Sequence, residues 1–141
     1  MGKYLQGAAF YLFAYFILGL VNSGIMYLFT RVLGVMPAIT LALLMFLTVF
    51  VLYFAFKKSL ELFVFGEKVK EVGELWIIVA WTVHFISFVA VAATVELYLL
   101  PLLGNPKLIK VATVFSNLLI FFLLYFLVVK VIVEKGGKVE A

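Results

Sequence analysis

Few residues in this chain can do chemistry, and most lie within long apolar runs. Asn22 and Ser23 follow Gly19 in the first run, with Gly19 and Ser23 in small-xxx-small spacing. His84, Ser87 and Thr94 form one stripe in the third run, and Lys110, Thr113 and Asn117 form another in the fourth. Spacings of three and seven put each set on a single helix face. Carboxamides and hydroxyls so arranged can bind a hydroxyl-rich ligand, or they can hold neighbouring helices together at about 0.6 kcal/mol per bond in a bilayer. His84 is the one histidine, and no carboxylate lies within a helical turn of it. An interhelical hydrogen bond is therefore the favoured role over a proton relay. Glu96 is the one acidic residue inside a run and stands near its end, as a rim residue that could pair with Arg31 or Lys107. Lys57 and Lys58 close the second run and Lys130 closes the fourth. Three cations converging at headgroup level would suit one phosphate, and the same lysines also serve as topology signals.

The missing residue types exclude other chemistry. The chain has no cysteine, and all seven acidic residues are glutamate. That leaves no thiolate, no disulfide and no cysteine-based metal site. No HExxH pair, phosphate-binding loop or nucleophile elbow occurs, so the expectation is a protein that is not an enzyme and needs no cofactor or metal. The formal charge of +4 is spread along the chain without a basic stripe, which argues against nucleic acid and for contact with anionic lipids.

The elements that must position these residues are four apolar runs, at about 8–29, 37–56, 75–100 and 108–133. Each is long enough to cross a hydrocarbon core of about 30 Å as a helix. With 67% hydrophobic residues there is too much apolar side chain for a soluble domain of this size to bury. The fold class is an all-α membrane protein of four transmembrane helices in one domain, 1–141. Hairpin one spans 8–56, an interfacial connector 57–74, hairpin two 75–133 and a short charged tail 134–141. The first run exceeds a signal-peptide core of about 7–15 residues and is expected to be a retained span. With the N-terminus inside, Lys3, Lys57, Lys58, Lys68, Lys70, Lys130, Lys135 and Lys138 share one side, against Arg31, Lys107 and Lys110 on the other. This bias places both termini in the cytoplasm, and the membrane is expected to be the plasma membrane. Short turns ahead of Pro37 and Pro106 make each half a hairpin. Leu33-Gly34 before Pro37 matches Leu103-Gly104 before Pro106, and Tyr53-Phe54 with Lys58 matches Tyr125-Phe126 with Lys130, a weak parallel internal repeat. Asn22 and Asn117 then come to similar depth, on the order of 5 Å from the midplane, where they could bond each other or a ligand.

The stretch Phe16 to Ser23, FILGLVNS, resembles the opening signature of the GtrA-like family of small four-span membrane proteins. Leu33-Gly34-Val35, the small Ala38 and the helix ending Tyr53-Phe54 with Lys57-Lys58 are similar to the next part of that pattern. Lys57 stands where the family usually has Asn, and Leu62 to Phe65 replaces its aromatic tail. The resemblance implies a role in cell-surface polysaccharide or glycolipid synthesis. It also implies as partners a polyprenyl-phosphate sugar, membrane lipids and a glycosyltransferase. Carried over by position are Gly19, Asn22, Lys58 and, through the repeat, Lys130. The expected function is translocation of the lipid-linked sugar, its phosphate at the lysine rim and its sugar in a polar groove. That groove is drawn from Gly19, Asn22, Ser23, His84, Ser87, Thr113 and Asn117, with Arg31 and Glu96 at the outer rim. One such bundle is narrow, so a groove is expected rather than a channel, and a homo-oligomer is compatible with it. The first alternative is a non-transporting anchor or regulatory partner of a glycosyltransferase. The second is a small proton-coupled cation exporter, which would need an acidic residue deep in the first span, where this chain has none.

Overall fold

The computed structural model describes residues 2–140, and among them the chain is helical without strands. Helix α1 (Gly2–Tyr27) runs into a π-helical turn, Leu28–Val32. Helix α2 (Pro37–Ser59) continues through a second π turn, Leu60–Val64, and a 3-10 segment, Gly66–Glu71, leads to α3 (Glu74–Thr94). A π turn, Val95–Leu99, and a 3-10 turn, Leu100–Leu103, precede α4 (Pro106–Val128), which goes on through Val129–Glu134 to a last turn, Lys135–Gly137. All four helices are long and apolar enough to cross a membrane, and the chain is an integral membrane protein.

The two reversals at the Arg31 end are built alike. Gly34 and Gly104 take φ of +72° and +75°, a left-handed conformation that a Cβ would penalise. Pro37 and Pro106 then begin the next helix, where a missing N–H costs nothing. Asn105 adds a cap, its Oδ1 accepting from the N–H of Lys107 at 3.0 Å and of Leu108 at 3.4 Å, whereas Met36 offers no side-chain cap.

The helices outrun the apolar segments that announced them. α1 starts at Gly2 and the α4 helix persists to Gly137, because backbone hydrogen bonding does not stop where charged side chains begin. The 57–74 connector, expected to lie at the interface, is helical to Val64 and tucks Val64, Phe65, Val69 and Val72 into the bundle end. The C-terminal tail closes over it. Val139 is buried and its N–H donates to the Glu134 carbonyl at 3.0 Å. A Cβ on Gly136 would come within 2.6 Å of the Trp76 ring.

Helix α1 packs against α2 and α4, and α4 against α3, while α2 and α3 touch only slightly. The core occupies the lysine-rich half of this bundle. Tyr11, at ring-centroid distances of 5.3 Å from Phe56, 5.4 Å from His84 and 5.4 Å from Phe121, ties all four helices together. Fully buried Ala8 and Ala80 let the backbones approach, the usual role of small residues between membrane helices. Toward the Arg31 end the packing thins out. Gly19 and Gly24 have no neighbour within 4 Å of where a Cβ would stand. Among the described residues, only Thr40, Leu44 and Leu100 are buried in that half.

Candidate functional site

The thin packing leaves an open-sided cleft of about 580 Å³ between the second half of α1 and the first half of α2. Asn22, Ser23, Thr30, Arg31 and Thr48 supply its polar lining, and Met26, Leu41, Leu44 and Met45 much of its apolar wall. Among the described residues no carboxylate lines it.

Each polar group has a defined state. Asn22 donates through Nδ2 to Thr48 Oγ1 at 2.9 Å, joining α1 to α2. The Thr48 hydroxyl proton and the second Asn22 N–H remain available as donors, and Asn22 Oδ1 as an acceptor. Ser23 donates to the Gly19 carbonyl at 2.9 Å and Thr30 to the Met26 carbonyl at 2.6 Å, so their protons are used within the helix and their oxygens remain acceptors. Arg31 stands in the π turn that ends this helix. Single π turns are frequent at functional sites. Among the described residues no ion pair neutralises Arg31. From Asn22 to Arg31 is about 13 Å along the helix at 1.5 Å per residue. The cleft therefore carries hydroxyl-binding groups at depth and a cation at its mouth.

The structure gathers only part of the groove expected from the sequence. Asn22, Ser23 and Arg31 line the cleft, and Gly19 supplies the carbonyl that holds Ser23. His84 belongs to the core. Fully buried, it meets the Phe121 carbonyl through Nε2 at 3.2 Å and the Phe121 ring edge-on at 4.7 Å. Ser87 donates to the Val83 carbonyl, and Thr113 to the Ile109 carbonyl at 2.7 Å, each within its own helix. Half-buried Asn117 does not bond Asn22, whose amide is taken by Thr48. Glu96 is exposed in its π turn and pairs with neither Arg31 nor Lys107.

The lysine rim is internally compensated. Lys57 Nζ lies 2.9 Å from Glu74, which also accepts from the Tyr53 hydroxyl at 2.6 Å. Lys58 lies 3.6 Å from Glu61. Lys130 lies 3.3 Å from Glu134 and 5.7 Å above the Tyr4 ring. Lys130 lines a second cleft, of about 690 Å³, with Lys135, Lys138, Glu134 and Glu140, and neither Lys57 nor Lys58 reaches it. The three lysines thus share one end of the bundle without lining one common cleft. Glu134, which Tyr4 contacts through its hydroxyl at 2.5 Å, was not singled out from the sequence. Its i+4 spacing from Lys130 is a signal that could have found it. Nothing local pairs Tyr4 with a residue so far along the chain. Thr48 stands out in the sequence as a polar residue within the second run, but only the helix crossing shows that it meets Asn22, and only the turn after α1 brings Thr30 to the cleft.

Compared with known proteins, the chain matches no family model, no curated protein and no solved structure.

Proposed function

We propose that this chain is a GtrA-like membrane protein that moves a polyprenyl-phosphate-linked sugar between leaflets during glycan or glycolipid assembly. The observation carrying this reading is the polar, carboxylate-free cleft set among apolar walls. Such a head group has sugar hydroxyls that need partners as they leave water, an anion that carboxylates would repel, and a tail that prefers lipid. An unpaired hydroxyl or amide in an apolar medium costs several kcal/mol, and Asn22, Ser23, Thr30 and Thr48 offer compensation along an open side. The lysine-rich end faces the cytoplasm of a plasma membrane in this reading, with both termini inside. The two hairpins are a parallel repeat, supported by the matching glycine and proline positions of the two reversals. Lys57, Lys58 and Lys130 provide the cationic rim that first meets the phosphate.

The pairing of those lysines with Glu74, Glu61 and Glu134 favours a second reading, a non-transporting anchor or regulator of a glycosyltransferase. Liposomes holding the purified protein and a labelled polyprenyl-phosphate sugar separate the two. Leaflet exchange above the protein-free rate is expected. Binding without exchange would leave the anchor.

A further inference from the structure

We infer that Arg31 holds the phosphate of the lipid-linked head group at the bundle end opposite the lysines, with the sugar turned inward along the cleft towards Asn22 and Thr48. This rests on the reading of the chain as a carrier of such lipids and adds where and in which pose the head group is held.

Two features of the cleft and one of the ligand argue for it together. The first is charge. Lys57, Lys58 and Lys130 each face a carboxylate, whereas Arg31 has none within ion-pair distance among the described residues, and none lines its cleft. Arg31 is the one cation among the residues lining that cleft, and a guanidinium can meet a phosphate with two parallel N–H bonds. The second is order along the helix. The hydroxyl-binding pair Asn22–Thr48 lies about 13 Å from Arg31, on the inner side. The third is the connectivity of the ligand. In a polyprenyl-phosphate sugar the phosphate lies between tail and sugar. A head group drawn across from the lysine face therefore leads with its phosphate and trails its sugar. At the far end this puts the anion at the Arg31 mouth and the hydroxyls below it, the same order in which the cleft presents cation and hydroxyl partners. The tail leaves through the open side, along Met26, Leu41 and Met45.

The test is binding to the full chain in nanodiscs, using polyprenyl phosphate, its sugar-bearing form, unphosphorylated polyprenol and inorganic phosphate as probes. Arg31→Gln should weaken both phosphorylated lipids about tenfold and leave polyprenol unchanged, with Arg31→Lys recovering part of the loss. Asn22→Leu should weaken the sugar-bearing lipid alone. If Arg31→Gln binds phosphorylated lipids as the unaltered protein does, the inference falls while the carrier reading stands. If Asn22→Leu weakens both lipids equally, the inward pose is wrong. If the unaltered protein binds inorganic phosphate as tightly as polyprenyl phosphate, the ligand is a soluble anion and the inference is overturned. If the unaltered protein ignores the sugar-bearing lipid altogether, the carrier reading fails and takes this inference with it.

Discussion

Gly7 and Gly19 lie on the same helix about 18 Å apart, and the structure assigns the same substitution opposite effects at the two sites. A Cβ on Gly7 would stand 2.5 Å from the Tyr125 hydroxyl oxygen and 3.0 Å from a Val64 methyl. Tyr125 cannot swing aside, because it is fully buried, its ring lies 5.7 Å from that of Phe56, and its hydroxyl bonds Ser59 at 2.7 Å. Overpacking of this kind costs about 1–3 kcal/mol, and disturbing the buried Ser59–Tyr125 bond adds about 0.5–1.5 kcal/mol. Set against a helix-propensity gain of up to about 1 kcal/mol, Gly7→Ala should destabilise the bundle by about 2 kcal/mol. At Gly19 a methyl group meets nothing, so Gly19→Ala should be neutral or stabilise by up to about 1 kcal/mol. Denaturant titration in micelles, followed by helical circular dichroism, measures both. Adding Tyr125→Phe removes the clashing oxygen and should reduce the cost of Gly7→Ala by about 1 kcal/mol, as coupled neighbours do. Equal effects of the two alanines, or strict additivity with Tyr125→Phe, would refute the description of a bundle packed at one end and open at the other.

Other outcomes follow from the same packing. His84→Ala should cost about 2–4 kcal/mol through the lost aromatic contacts and the cavity left behind, whereas Ser87→Ala, whose hydroxyl bonds only its own helix, should be near neutral in the same titration. Tyr4→Phe removes a donor from buried Glu134 and should cost about 1–2 kcal/mol. Gly136→Val should dislodge the C-terminal turn from Trp76 and red-shift its fluorescence. Because the sequence has no cysteine, single cysteines at positions 58, 130 and 31 can be labelled cleanly. The first two should react from one side of the membrane and the third from the other.

The four spans could be read directly, since a run of about 20 apolar residues has one stable solution in lipid. The reversals could be read as well, because Gly34-to-Pro37 and Gly104-to-Pro106 are local conformational signals. What sequence spacing could not supply was which stripe meets which. Residue counting puts Asn22 and Asn117 at one depth, yet the bond goes from Asn22 to Thr48, because α1 packs along α2 for much of its length. His84 makes the interhelical hydrogen bond expected of it, to the Phe121 carbonyl, but it does not line the groove, because its face turns into the Tyr11–Phe121 cluster. The lysine rim showed in the sequence as charge, while its compensation by Glu74 and Glu134 depends on contacts between distant helices or on a helix end that outran its apolar run. The π turns that aim Thr30 and Arg31 left no compositional trace.

The central claim is that the α1–α2 cleft carries the head group of a lipid-linked sugar, and leaflet exchange in liposomes tests it most directly when the cleft alone is filled. Ser23 lines the cleft and bonds only its own helix, so Ser23→Phe should block the path without touching the core. Leu20→Phe, at a residue 77% exposed outside the cleft lining, is the matched control. The account predicts exchange at the protein-free rate for Ser23→Phe and at the unaltered rate for Leu20→Phe. Exchange by Ser23→Phe as fast as by the unaltered protein would contradict it.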